Sequence, residues 1–214
     1  MPRPSLRAEQ KQQTRQALMG AARNLMEGGR GFGSLSLREV ARAAGIVPTG
    51  FYRHFADMDE LGLALVAEVG ETFRETIRQV RRHEFEMHGI IDASVRIFLA
   101  AVTANHAQFL FLAREQYGGS LPVRQAIAAL RQRITDDLAA DLKLMNRMSQ
   151  LDDAALSVLA DLVVKTVFAT LPELIDPPAP GQPTHLSAEA KIIQQLRFIM
   201  IGGKHWHGLG KPGG

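Results

Sequence analysis

Between Val47 and Phe55 the chain places a hydroxyl, a phenol, a guanidinium and an imidazole within six residues: Thr49, Tyr52, Arg53 and His54. Tyr52 and His54 can donate to phosphate oxygens, and Arg53 adds positive charge. Thr49 offers a hydroxyl and a methyl, which suit a base edge, a phosphate or a thymine methyl group. Thr49 and Gly50 are small, so the backbone can come close to a base edge, and Val47 and Pro48 stand beside them. This is the chemistry of a surface that reads double-stranded DNA. Taken singly, each of these side chains fits ordinary surface packing equally well.

The elements that would position them are legible in Ser34 to Phe55, SLSLREVARAAGIVPTGFYRHF. Ser36-Leu37-Arg38-Glu39 is a capping box, with serine at the N-cap and glutamate at N3. Ser36 also lies where a phosphate contact is expected. The helix it opens buries Leu37, Val40, Ala41 and Ala44. Gly45 supplies the turn, because glycine takes positive φ without steric cost. Pro48 suits the first turn of a second short helix, about Pro48 to Phe55, where its missing N–H is harmless. Phe51 and Phe55, four residues apart, face the core. Two short helices around a tight turn make a helix-turn-helix.

Charge supports this reading. Net charge is +3, yet residues 1–55 hold nine Lys/Arg against three Asp/Glu, and residues 56–214 hold sixteen against nineteen. The basic first quarter points to a polyanionic partner. Met1 to Arg7 reads as an arm from which Arg3 and Arg7 reach a phosphate or a minor groove.

Other groupings carry less. Gly28 to Gly33 has no strand before it, so a helix end fits better than a phosphate loop. His83, Glu84, Glu86 and His88, and also His205 with His207, are metal-ligating types without a constrained geometry. Asp136 and Asp137 form a polar helix face with no histidine or nucleophile beside them, so no enzyme is expected. The chain has no cysteine, which excludes a disulfide framework. The N-terminus has no apolar leader, and the continuous apolar runs fall short of the ~18 residues of a membrane span. A cytoplasmic protein away from the membrane is the expectation.

Helical periodicity recurs along the whole chain without a strand pattern. Helices are predicted at Thr14 to Glu27, at the two helix-turn-helix positions, at Asp59 to Arg82, Ile90 to Asn105 and His106 to Tyr117, then at Leu121 to Met148, Asp152 to Ile175 and Ser187 to Gly202. Pro172 is expected to kink or end its helix. The fold class is all-α with about nine helices, divided into a DNA-binding domain, 1–58, and a larger helical domain, 59–214.

The DNA-reading segment resembles the TetR family of transcriptional regulators. Tyr52-Arg53-His54-Phe55 matches that family's Tyr-x-His-Phe signature, and Asp57-Met58-Asp59-Glu60-Leu61 stands at its acidic cap. Two positions depart: Met58 replaces a common lysine, and Val47 a common serine. The stretch, with MDELGLALV after it, is similar to the fatty-acid-responsive FabR/DesT-type repressors. Arg114-Glu115 and Leu196-Arg197-Phe198-Ile199 add to that likeness. The resemblance implies a homodimeric repressor, paired through its last two long helices, on an inverted-repeat operator at genes of unsaturated-fatty-acid synthesis. It implies a long-chain acyl-CoA effector and no cofactor. An acyl thioester needs a greasy tunnel with cations at its mouth, for which Phe98, Val102, Phe109, Leu112 and Phe168, with Arg114 and Arg124, are the candidates. The alternatives are a repressor of an efflux or catabolic gene that senses another hydrophobic ligand, a thioesterase-like enzyme, and a nonspecific DNA-coating protein.

Overall fold

The computed structural model describes residues 6–27, 29–82, 89–145, 148–175 and 186–207. Among them the secondary structure is helical throughout, with no strand. Nine α-helices follow in order: α1 Leu6–Glu27, α2 Leu37–Ala43, α3 Pro48–Phe51, α4 Met58–Arg82, α5 Ile90–Ala104, α6 His106–Glu115, α7 Leu121–Leu144, α8 Asp153–Ile175 and α9 Ala188–Lys204. A single 3-10 turn, Phe32–Ser34, lies between α1 and α2.

The helices form two compact units. One holds residues 1–75 and 104–128, the other 76–103 and 129–214. The first unit therefore extends past residue 58. It includes most of α4, all of α6 and the start of α7.

In the first unit the core is aromatic. Phe32, Phe51, Phe55, Phe109 and Phe111 are almost fully buried, with Leu18, Met26, Leu61 and Leu65 around them. Phe32 meets Phe111 edge-to-face at 5.6 Å, and Phe73 meets Phe109 at 5.4 Å. Such edge contacts add to area burial because the ring's positive rim meets a negative face.

Helix α1 begins eight residues before the predicted Thr14 and absorbs Leu6 and Arg7, part of the expected arm. LRAEQKQQ is rich in good helix formers, so it extends the helix with an exposed face although it buries little. Helix α3 is shorter than expected, since Tyr52–His54 continue it only as turns.

The second unit is built on α8 and α9. Leu142, Met148, Leu151, Leu156 and Leu159 form one buried cluster. Val95, Ile192 and Leu196 form another, flanked by Val163, Val167 and Ile199. Ser187 caps α9 by accepting from the Ala190 N–H at 3.2 Å. Pro172 does not end α8, which runs on to Ile175. By length and composition α8 is apolar enough to cross a membrane. Here its Leu156, Leu159, Val164, Phe168 and Leu171 are buried in the protein, as core helices of that composition are. The Asp176–Pro183 loop and the Gly208–Gly214 tail lie outside the described residues.

Candidate nucleic-acid interface

The helix-turn-helix is assembled from local capping outward. Ser36 Oγ accepts from the Glu39 N–H at 3.3 Å, and Glu39 Oε2 accepts from the Ser36 N–H at 2.9 Å and from its hydroxyl at 2.8 Å. The capping box of α2 is thus complete. Arg30 reinforces it, donating to Glu39 Oε1 at 3.0 Å and to the Ser34 carbonyl at 2.8 Å. That hydrogen bond from Arg30, followed by those from Ser36, lowers the Glu39 carboxyl to about 2. Ser36 is exposed, but its hydroxyl already serves the cap.

Helix α2 is closed by its C-cap Ala44, and Gly45 takes φ +71°. A residue with a Cβ would be strained there. The Ile46 N–H returns to the Ala41 carbonyl at 2.8 Å and closes the turn. Val47 is the N-cap of α3 without a side-chain cap bond, and Pro48 sits at the first helical positions. A valine at the N-cap leaves the first N–H groups of α3 without a side-chain partner.

Phe51 and Phe55 are buried at 0% and 1% exposure, with ring centroids 5.7 Å apart. Fixing those two rings turns Tyr52 and Arg53 between them outward. Val47 is 67% exposed and Tyr52 63%, while Pro48, Thr49 and Arg53 are exposed as well. Gly50 is half-buried, and a Cβ there would lie 2.7 Å from Ile46 Cγ2. Packing within the turn already requires its small size.

His54 is held from behind. Arg15 on α1 donates to the His54 carbonyl at 2.8 Å, and its guanidinium lies 4.1 Å from the centre of the Phe55 ring. This cation–π contact docks α1 against the Tyr-x-His-Phe stretch. Burial, then the charges of Lys11, Arg15 and Arg53, lower the His54 pKa. Its Nδ1 is buried and has no hydrogen-bond partner among the described residues. Lys11 and Arg15 lack any sequence signal that ties them to His54, which is about forty residues away. Arg7 is exposed on α1, and Arg3 lies outside the described residues.

The acidic cap of α4 is formed. Asp57 Oδ1 accepts from the Glu60 N–H at 2.8 Å, and Glu60 Oε2 accepts from the Ala56 N–H at 2.6 Å. Met58 is half-buried at the first helical position.

The residues proposed for an acyl tunnel are not gathered in one unit. Phe98, Val102 and Phe168 are buried in the second unit, Phe109 and Leu112 in the first. Both arginines belong to the first unit and are engaged by carbonyls. Arg114 donates to the Met26 carbonyl at 2.7 Å. Arg124 donates to the carbonyls of Gly118 and Gly119. No group of three or more metal-ligating side chains occurs among the described residues. His83, Glu84, Glu86 and His88 lie outside them, and Asp136 and Asp137 are exposed.

Two family models match. "Bacterial regulatory proteins, tetR family" covers residues 18–65, and "Tetracyclin repressor-like, C-terminal domain" covers residues 87–202. Among solved structures, a TetR-family transcriptional regulator from Syntrophomonas wolfei is 13% identical, with 94% of this chain and 99% of that one aligned at a TM-score of 0.71. FadR of Thermus thermophilus, solved in complex with lauroyl-CoA, is 19% identical over 94% of this chain and 100% of that one, at 0.59. AibR, solved with isovaleryl coenzyme A and operator DNA, is 16% identical over 88% and 97%, at 0.58. At these identities the likeness is one of fold.

Proposed function

This chain belongs to the TetR family of bacterial regulatory proteins, and on that premise we propose that it is a homodimeric repressor responsive to a fatty acyl thioester. Residues 1–58 read the DNA, and residues 59–214 bind the effector and pair the subunits. Val47, Pro48, Thr49 and Gly50 meet base edges. Tyr52, Arg53 and His54 meet phosphates, joined by Ser36, Arg7 and Arg3. The observation that carries this reading is the α3 surface. Phe51 and Phe55 are locked inside while Val47 and Tyr52 are more than 60% exposed, an arrangement with no evident use in the monomer's own packing.

Pairing is proposed through α8 and α9. These helices pack together and still leave Val158 60%, Leu162 47%, Phe198 76% and Ile201 58% exposed. A second copy would cover that apolar strip. Two reading helices in successive major grooves require an inverted repeat with half-sites about 34–36 Å apart.

The effector reading rests on the FabR/DesT-like sequence motifs and on acyl thioesters bound by two proteins of similar fold. The ligand would act by binding one spacing of the two heads better than the other, since it can shift the equilibrium only by that difference. The target genes would be those of unsaturated-fatty-acid synthesis, and the protein would act in the cytoplasm with its DNA.

The test is a gel shift with the inverted-repeat duplex that the protein selects from a random library, run with saturated and with unsaturated acyl-CoA. The expected result is a change in affinity that depends on chain saturation. Unchanged binding with both would refute the lipid reading and favour another hydrophobic effector. Selection of no preferred duplex would refute the operator reading and leave a nonspecific DNA-coating protein.

A further inference from the structure

Two adjacent side chains at the end of α6 grip the end of α1 and the middle of its connection to α2. Arg114 Nη1 donates to the carbonyl of Met26, one residue before the end of α1, at 2.7 Å. That carbonyl, in the last turn of α1, also accepts the Gly29 N–H at 3.0 Å, and a cation is favoured at a helix C-terminus. Next to it, Glu115 Oε1 accepts the backbone N–H of Phe32 at 2.7 Å. Glu115 is only 2% exposed, and its Oε2 has no hydrogen-bond partner among the described residues. Burial raises its pKa, against the opposing Phe32 N–H and the Arg114 charge.

The surroundings leave this pair little room. A Cβ on Gly118 would overlap the Glu115 carboxylate, and one on Gly31 would lie 3.4 Å from Oε1. The Phe32 ring is fixed against Phe111 of the same α6. Four residues beyond Phe32 stands Ser36, the N-cap of α2. Ordinary core packing would be met by an apolar side chain at 115. A buried carboxyl aimed at one backbone N–H instead fixes the position of that backbone.

We propose that Arg114 and Glu115 form a positioning clasp that holds the α1–α2 connection, and through it sets the pose of α2 and α3 on DNA. The proposal rests on the DNA reading above. Neither residue touches DNA; each acts through the loop. The clasp makes the end of α6 part of the reading head's scaffold, so displacement of α6 releases the loop.

The test compares the wild type with Glu115→Ala, Glu115→Gln and Arg114→Ala. Each is titrated against two duplexes, the one the wild type selects from a random library and a random-sequence duplex of equal length. Active fractions are set by stoichiometric titration. Mere destabilisation lowers the active fraction for both duplexes alike. Loss of positioning instead reduces the ratio of selected to random affinity, because phosphate contacts survive misplacement better than base contacts. The expected result is a fall in that ratio of about tenfold for Glu115→Ala, with faster hydrogen exchange at the Phe32 amide. Glu115→Gln keeps an acceptor for that N–H, so it should stay within about twofold of the wild type. Should Glu115→Ala fail to fold, Arg114→Ala reads the same ratio. An unchanged ratio alongside a freed Phe32 amide would overturn the proposal. A wild type that selects no duplex would instead overturn the DNA reading, while exchange at Phe32 would still report whether the loop is held.

Discussion

Gly62 is the fifth residue of α4 and is buried beside the aromatic layer, and glycine in a helix interior costs about 1 kcal/mol relative to alanine. Replacing it by alanine would ordinarily stabilise the helix by that amount. Here the new Cβ would lie 2.5 Å from Val123 Cγ2, 2.9 Å from Phe32 Cε1 and 3.2 Å from Phe32 Cζ. Neither neighbour can retreat freely. Val123 is 0% exposed and Phe32 2%, and the Phe32 ring is held edge-to-face against Phe111 at 87°. Overpacking a filled core costs typically ~1–3 kcal/mol, and two contacts below 3.0 Å put this site in the upper half of that range. Subtracting the helix gain leaves a net destabilisation of ~1–2 kcal/mol. For a chain of this size that lowers the melting temperature by ~2–8 °C. Thermal melts of Gly62→Ala, Val123→Ala and the double variant measure it. Removing Val123 Cγ2 relieves the tightest contact, so the double variant should be more stable than the sum of the singles by ~0.5 kcal/mol or more. A Gly62→Ala protein that melts higher than the wild type, or strict additivity in the cycle, would refute the rigid layer described here.

Three further outcomes are expected. Tyr52→Phe should weaken binding to every duplex by about tenfold, as loss of a hydrogen bond to a charged phosphate does, measured by fluorescence anisotropy on selected and random DNA; a change in base preference at one position would contradict the phosphate assignment. The Glu39 pKa is depressed from 4.5 to about 2, so its contribution to stability is present above 4.5 and lost as pH falls towards 2; melting temperatures of the wild type should decline across that window more steeply than those of Glu39→Gln. The His54 pKa is lowered from 6.5, mainly by burial, so the folded chain favours the neutral ring and loses stability as pH falls through 6.5; thermal melts over that range should show the slope reduced in His54→Gln.

What could be read from the sequence was local. The capping box at Ser36 and Glu39, the Gly45 turn, the Phe51–Phe55 pair and the break at Asn105 each depend on residues within a turn or two of one another. Short-range rules reach them. Even so, Leu6 and Arg7 entered α1 because helix propensity outweighed the lack of a buried face, and Pro172 stayed inside α8. Local patterns also cannot tell why a residue is small. Gly50 reads as a close approach to DNA, yet a Cβ there would lie 2.7 Å from Ile46 Cγ2, so packing inside the turn also calls for a small residue. Gly62 gave no signal at all, because its two neighbours come from residues 32 and 123.

The same limit explains the ligand candidates. Aromatics and arginines at helical spacing from residue 98 to residue 124 suggest one greasy pocket with a cationic mouth, but spacing does not say which unit a side chain joins. The structure buries Phe109 and Leu112 in the first unit, Phe109 against Phe73, and binds Arg114 and Arg124 to backbone carbonyls. A guanidinium already bonded to backbone carbonyls would have to give up those bonds to meet a phosphate. The Arg114-Glu115 pair, which adds to the FabR/DesT-type likeness, bonds to the Met26 carbonyl and the Phe32 N–H. Arg124→Ala separates the cases: unchanged acyl-CoA response with a lowered melting temperature fits the carbonyl role, whereas a lost response with an unchanged melt would return Arg124 to the ligand.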